Sequence, residues 1–281
     1  ATKMYGNLGK VENKGLDFSI DYVKRFNNDF DMSFKGTFTY AHNKVLEYDE
    51  PDFQKYPNIS RVGHSVDQQL LYIAERLFID DSEVQRNPKQ NLGGWVSGGD
   101  IKYKNLPDVN GNYDNVIDSN DRQYTGMPTT PEIVYGFGPS FRYKKFDFSF
   151  FFQGAARVSI MMNGIHPFGA EGIRNVLQFI ADDYWSETNQ NIYAEYPRLS
   201  KRDNENNTKA STYWQRNGAF LKLKNLEVGF NHKFFRVYLR GSNLLTFSPF
   251  KYWDPEMGSG SGLSYPTQRV FNVGVQFSIN K

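Results

Sequence analysis

Asp108, Asn110, Asp114, Asp118 and Asp121 crowd into one short stretch, Asp108-Val109-Asn110-Gly111-Asn112-Tyr113-Asp114-Asn115-Val116-Ile117-Asp118-Ser119-Asn120-Asp121. Alternating carboxylates and amides on a tight loop can converge the roughly six to eight oxygens that a hard cation needs. The spacing follows the pattern D-x-N-G-D-G-x-I-D-x-x-D with two residues inserted. Asp108 and Asn110 then take the first and third positions and Asp114 the fifth. Asn115 stands in for the turn glycine, Asp118 and Asp121 fall at the ninth and twelfth, and Val116 completes the candidate set. Asparagine is the best non-glycine residue for a left-handed turn position. Calcium, or magnesium, is the expected ion. The same residues also read as a solvated run of Asx turns without a metal.

Other candidate chemistry is sparse. The four histidines, His42, His64, His166 and His232, lie in separate segments without metal-ligand spacing. The chain has no cysteine, which removes disulfides, thiolate metal sites and cysteine nucleophiles. The pairs Asp80-Asp81 and Asp182-Asp183 sit in polar stretches where solvation explains them. No glycine-rich phosphate loop and no nucleophile elbow is present, so the chain reads as a non-enzyme with no catalytic residues. The 33 basic and 31 acidic residues leave a net charge of +2, no electrostatic footprint for nucleic acid. Tyr213-Trp214 and Tyr252-Trp253 fit an aromatic girdle at a membrane interface, or rings that stack on a carried ligand such as a sugar.

The elements that position these residues are strands. Phe146-Asp147-Phe148-Ser149-Phe150-Phe151-Phe152-Gln153 puts a ring at every second position and Phe30-Asp31-Met32-Ser33-Phe34-Lys35-Gly36-Thr37-Phe38 mostly bulky apolar groups, with mostly polar groups between. A period of two places the rings on one face and the polar groups on the other. A lipid-compatible face backed by a wet face is the pattern of a transmembrane β-barrel strand. The alternation repeats at about 15–24, 30–43, 132–143, 146–158, 218–231, 234–245 and 269–279, with a break or bulge expected at Pro139 and a phase change near Asn225. Two further strands are expected near 70–78 and 100–104, giving seven to nine. A short helix is expected over 171–185, where Ile173, Val176, Leu177, Ile180 and Tyr184 share a face. Asp81-Ser82 is expected to cap another that runs through Val84.

Turns of a few residues, around 25–29, 144–145 and 232–233, alternate with long segments of about 44–131, 159–217 and 246–268. Outer-membrane barrels have this asymmetry, with short periplasmic turns and long extracellular loops. No run approaches the ~20 apolar residues of a spanning helix, and no secretory leader opens the chain. The fold class is therefore all-β: a transmembrane antiparallel barrel segment with long extracellular loops. Residues 1–281 read as the C-terminal part of a larger barrel, because the first strand starts too near residue 1 to leave room for a preceding partner.

Several phrases carry a family resemblance. Asn7-Leu8-Gly9-Lys10-Val11-Glu12-Asn13-Lys14-Gly15 resembles the opening of a barrel strand in TonB-dependent receptors. Residues 99–122 are similar to the "GDIKYKDLNGDGVIDSNDR" signature of the SusC-like transporters of Bacteroidetes, and Phe146–Gly154 to their "FDLSxFFQG" strand. Ala219-Phe220-Leu221-Lys222-Leu223-Lys224-Asn225, Asn243-Leu244-Leu245-Thr246-Phe247 and Tyr252-Trp253-Asp254-Pro255-Glu256 resemble the series that closes that barrel. The resemblance implies part of a plugged barrel of about 22 strands. It implies import of oligosaccharides or peptides driven by the TonB complex and the proton gradient, beneath a SusD-like surface lipoprotein lid. The expected partners are that lid, the remaining barrel and plug, the TonB complex and outer-membrane lipid, with no nucleic acid; the expected location is the outer membrane. The final residues, Phe277-Ser278-Ile279-Asn280-Lys281, depart from the family in lacking a terminal aromatic. A non-transporting outer-membrane barrel or adhesin, and a soluble β-rich carbohydrate-binding module, are the rival readings.

Overall fold

Seven of the alternating segments form one antiparallel sheet in the computed structural model, which describes residues 6–167, 175–201 and 204–278. The strands are β1 (Lys10–Arg25), β2 (Phe30–Glu47), β3 (Ile133–Tyr143), β4 (Phe146–Ala156), β5 (Phe220–Asn231), β6 (Phe235–Phe247) and β7 (Val270–Phe277). Each pairs with the next in sequence, so the sheet is a simple meander with β1 and β7 at its edges. Short turns close it at one end, including a two-residue turn in which Lys144 takes φ 54°. All three long segments, residues 48–132, 157–219 and 248–269, leave from the other end.

Register carries the ring-bearing positions across the whole sheet. Phe18 faces Phe38, Phe38 faces Tyr135, and Phe148 lies between Phe141 and Val228. Val228 faces Leu239, and Leu239 faces Val273. The rings do not fill a dry centre: Phe18 is 57% exposed, Leu239 58% and Phe271 74%. A soluble sheet of this size would bury such a face. The opposite face holds Asp17, Ser19, Thr37, Asp31, Arg142, Asp147, Glu227 and Arg236. Its charges are cross-linked: Arg236 lies 2.6 Å from both Asp147 and Glu227, Arg240 lies 2.8 Å from Glu227, and Arg142 pairs with Asp31. At the short-turn end Lys24, Lys144 and Lys233 sit over the rings of Phe26, Tyr143 and Phe234 at 5.0–5.4 Å, an aromatic and cationic rim suited to a lipid headgroup layer.

Two irregularities expected from the sequence have defined forms. The β3–β4 ladder lacks pairs opposite Pro139 and Gly138 while keeping its register on both sides, so Pro139 produces a gap and no bulge. The missing N–H of proline accounts for it. Near Asn225 the register shifts against both neighbours, with Lys224 the extra residue relative to β4. That bulge separates the parity of Leu221 and Leu223 from that of Leu226, Val228 and Phe230.

The hydrophobic core sits in the long segments and not beneath the sheet. Leu71, Leu77, Ile101, Tyr103, Ile117, Ile160, Met162, Ile165, Ile180, Trp185 and Trp214 form one buried cluster. Each fully buried aliphatic side chain contributes about 1.5–3 kcal/mol, which offsets the entropy of ordering connections this long. The strands expected near 70–78 and 100–104 belong to this layer and add nothing to the barrel sheet. They are Gln69–Tyr72, Ala74–Leu77 and Ile101–Tyr103, paired with Arg122–Thr125 or with one another. They are too short to cross a membrane, and β2 pairs directly with β3. Helix Asp81–Arg86 is capped by Asp80, one residue earlier than expected. The helix expected over 171–185 is confined to Gln178–Asp182; residues 171–174, with Ile173, lie outside the described residues, as does Ile279 of the last strand.

Candidate functional site

A single buried carboxylate organises the loop layer. Asp100 is fully buried, and its Oδ1 lies 2.8 Å from Arg198 Nε. Asn204 and Asn207 each donate a side-chain N–H to it at 2.9 Å, and Ser97 N donates to Oδ2. Burial raises the Asp100 pKa against the pull of Arg198 and these donors. Gly99 places it: φ is +80°, and a Cβ there would lie 2.2 Å from the Trp185 ring. Asn206 and Asn207 extend the network through Ile101 and Gln90, so an asparagine pair that reads as solvated loop is a buried girder. Nothing in the sequence flags that pair.

A second junction fastens the 248–269 segment to the barrel wall. Lys222 of β5 is buried, and its Nζ donates to Asp254 at 2.5 Å and Glu256 at 2.6 Å, while Lys224 donates to Glu256 at 2.8 Å. Both carboxyls are held below their usual pKa by these lysines, although burial opposes the shift. Two separate sequence phrases, around Leu221–Asn225 and around Tyr252–Glu256, thus meet in space.

The candidate metal ligands are held in a series of local turns. Asp108 Oδ1 accepts from the backbone N–H groups of Asn110 and Asn112, both at 2.9 Å. Asp114 accepts from Val116 N, Asp118 from Asn120 N, and Asp121 from Leu106 N and Asp118 N. Asp118 and Asp121 form a reciprocal capping box on the short helix Ser119–Asp121. Asn115 takes the left-handed conformation at φ 61°, as its place in the motif requires. Among the described residues no three carboxylates or imidazoles converge as a metal would need. As folded, the loop pairs these carboxylates with nearby backbone amides.

Neither aromatic pair lies on the membrane girdle. Trp214 is 2% exposed and donates Nε1–H to Asn207 O, while Tyr213 donates to Ala194 O. Trp253 packs 4.6 Å from the Phe250 ring and donates to Gly258 O. These rings belong to the loop core, because their polar ends find partners only there. Among the described residues, one cleft in the layer, of about 430 Å³, is bordered by the Ile101–Tyr103 strand and the segment carrying Tyr113 and Asn115.

No family model matches the chain. It is 28% identical to the TonB-dependent receptor P3 of Formosa agariphila over 96% of its own length and 29% of that protein. It is 25% identical to the TonB-dependent receptor SusC of Bacteroides thetaiotaomicron, over 97% of this chain and 27% of the relative. Along nearly its whole length the chain is thus similar to TonB-dependent receptors, SusC among them. Its fold is also that found in the structure of the RagAB peptide transporter, with a TM-score of 0.67 at 22% identity, covering 97% of this chain and 30% of the other. The chain spans under a third of the length of the relatives it matches. Its location is the outer membrane, and the exposed ring-bearing face of the sheet is its lipid face.

Proposed function

We propose that the segment is the C-terminal part of the barrel wall of a TonB-dependent importer of oligosaccharides or peptides. Its short turns lie in the periplasm, and its loop layer forms part of the extracellular vestibule beneath a SusD-like lipoprotein lid. The observation that carries this reading is the two-sidedness of the sheet. Seven strands share one continuous apolar face open to the surroundings and one ion-paired polar face, and a packed cap stands at one end only. A soluble carbohydrate-binding module would bury the apolar face, and a small non-transporting barrel would close on itself. Here β1 and β7 each leave a long edge unpaired, and β1 is exposed on both faces along nearly its whole length. Exposed apolar edges of this length are covered in native proteins, and the remaining strands of a larger barrel would cover them. The plug would then meet the polar inner face. The resemblance to the SusC-like transporters implies an oligosaccharide cargo, and the fold shared with a peptide transporter keeps peptides as the alternative.

The test is uptake by cells expressing the full-length receptor, assayed with labelled oligosaccharide and peptide pools. Import that stops when the proton gradient is collapsed, together with co-purification of a surface lipoprotein, is expected. Passive leakage unaffected by the gradient would refute the importer reading.

A further inference from the structure

The short-turn rim of the sheet carries more positive charge than its own carboxylates pair. Lys24 and Arg25 end β1, Lys144 and Lys145 make the β3–β4 turn, and Lys233 lies in the β5–β6 turn; all five are exposed. The nearby carboxylates are committed elsewhere. Asp31 pairs with Arg142, Asp147 with Arg236, and Asp21 stands opposite Lys35 on the wet face. Asp29 is then the one carboxylate within the three turns. At the long-loop end, by contrast, Lys10 lies 3.9 Å from Glu47, Lys14 2.9 Å from Glu12 and Arg157 2.6 Å from Glu132. A patch of one sign, uncompensated within the chain, attracts groups of the other sign.

The rim is also a fixed row. Lys144 N donates to Asp29 O and Asn231 N to Lys145 O, both at 2.6 Å, so each turn is tied to the next. With strands about 4.8 Å apart, turns two strands apart stand ~10 Å from one another. Rings floor the row on the lipid side: Phe26 stacks on Phe30 at 5.0 Å, Phe30 meets Tyr143 at 6.4 Å, and Phe146 meets Phe230 at 5.3 Å. Lys24 shares the parity of Phe18, Ile20 and Tyr22, and like Lys144 and Lys233 it lies over a ring. An ammonium resting on an aromatic face keeps N–H donors for a second partner. Three such groups at the border of an apolar face suit a molecule that is anionic at one end and apolar at the other. A phosphodiester carried on acyl chains meets that description, since its oxygens accept charge-assisted hydrogen bonds. A zwitterionic headgroup would bring an ammonium of its own toward the lysines, and like charges repel.

We propose that the short-turn rim is a selective binding surface for anionic glycerophospholipids, with one phosphate at each of Lys24, Lys144 and Lys233 and with Arg25 and Lys145 adding to the field. The leaflet is the periplasmic one in the orientation given above, and the proposal rests on the lipid face and not on the cargo. The full-length receptor in detergent is offered equimolar phosphatidylglycerol and phosphatidylcholine with matched acyl chains, and retained lipids are counted by native mass spectrometry. Beside it are measured Lys24→Gln, Lys144→Gln and Lys233→Gln, singly and combined, and a Lys10→Gln/Lys14→Gln control at the other end. The single variants keep the test valid if the combined one misfolds, which mobility on unheated gels reports. Phosphatidylglycerol is expected to be preferred, and the preference to fall about fivefold for each lysine removed. It should also fade as salt is added and survive in the control. Equal retention of the two lipids, a preference unchanged in the lysine variants, or one lost equally in the control would each overturn the proposal. Unchanged lipid preference with loss of a co-purifying periplasmic protein would make the rim a protein contact and overturn it as well. Gradient-driven import that persists beside any such failure leaves the importer reading intact and removes only the lipid site.

Discussion

Ile20 and Ser19 are neighbours on β1 that point to opposite sides of the sheet, and arginine at each should have opposite consequences. Ile20 faces Gly36 on the ring-bearing side and is 43% exposed, whereas Ser19 faces Thr37 between Asp17 and Asp21. Ile20 lies five residues above Arg25 at the short-turn end. At about 3.4 Å per residue and a strand tilt of about 40°, that is ~13 Å of height. The apolar band of an outer-membrane barrel is about 25 Å tall, so Ile20 sits near its middle. An arginine there costs about 2–4 kcal/mol, a factor of roughly 30 to 700 in the folding equilibrium. At Ser19 an arginine enters water beside two carboxylates and should change stability by no more than about 0.5 kcal/mol. The assay is urea-driven unfolding of the full-length receptor in lipid vesicles, read by its mobility on unheated gels. Were the side in contact with Ile20 aqueous, Ile20→Arg would be as harmless as any exposed substitution. Equal midpoints for the two variants would refute the assignment of the lipid face.

Further outcomes follow from the loop layer. Glu83 is held at a pKa of about 2, chiefly by Arg76 at 2.5 Å, against 4.5 for a free glutamate. Its folded pKa is depressed, so its contribution, on the order of 3 kcal/mol, is complete above about pH 4.5 and disappears as the pH falls toward 2. Fluorescence of the buried Trp185 and Trp214 should report loosening over that window, and Glu83→Gln should lower stability at neutral pH and flatten the profile; an unchanged profile would contradict the pairing. Lys222→Met strands Asp254 and Glu256 beside Lys224 alone and should cost about 3–5 kcal/mol, seen as faster hydrogen exchange in residues 250–258; unaltered exchange there would contradict the junction. Because backbone amides satisfy the carboxylates of the 108–121 loop, adding calcium or a chelator should move the unfolding temperature by less than about 1 °C, whereas a large calcium-dependent rise would restore the cation reading.

The strands were legible because membrane contact imposes a strict period of two on them, and a one-residue slip would turn Phe146, Phe148, Phe150 and Phe152 inward. The bulge at Lys224 could be read for the same reason, since it breaks that period. The loop layer obeys no such rule. Tyr213-Trp214 looks like an interface pair until Asn207 and Ala194, elsewhere in the same long segment, supply the partners for its polar atoms. The acidic stretch at 108–121 is ambiguous in another way. A ligand pattern and a series of Asx turns use the same residue types, and only the direction of each carboxylate separates them.

The phrases that carry the family resemblance fall at the places where parts are joined. Gly99 and Asp100 anchor the loop core through Arg198 and Asn207, and Lys222 ties the barrel wall to Asp254 and Glu256. Phe146–Gly154 supplies lipid contact and ladder. None of these groups is free to select a cargo, because each is already committed to a partner within the chain. Resemblance along such phrases therefore reports the architecture, and two receptors can share all of them while carrying unlike molecules. Selectivity has to come from side chains the frame leaves uncommitted, and the exposed rings of the loop layer, such as Trp95, Tyr113 and Tyr193, are of that kind. Exchanging such exposed residues between two receptors of different cargo should move binding preference without disturbing assembly, whereas exchanging Lys222 or Asp100 should disturb assembly first.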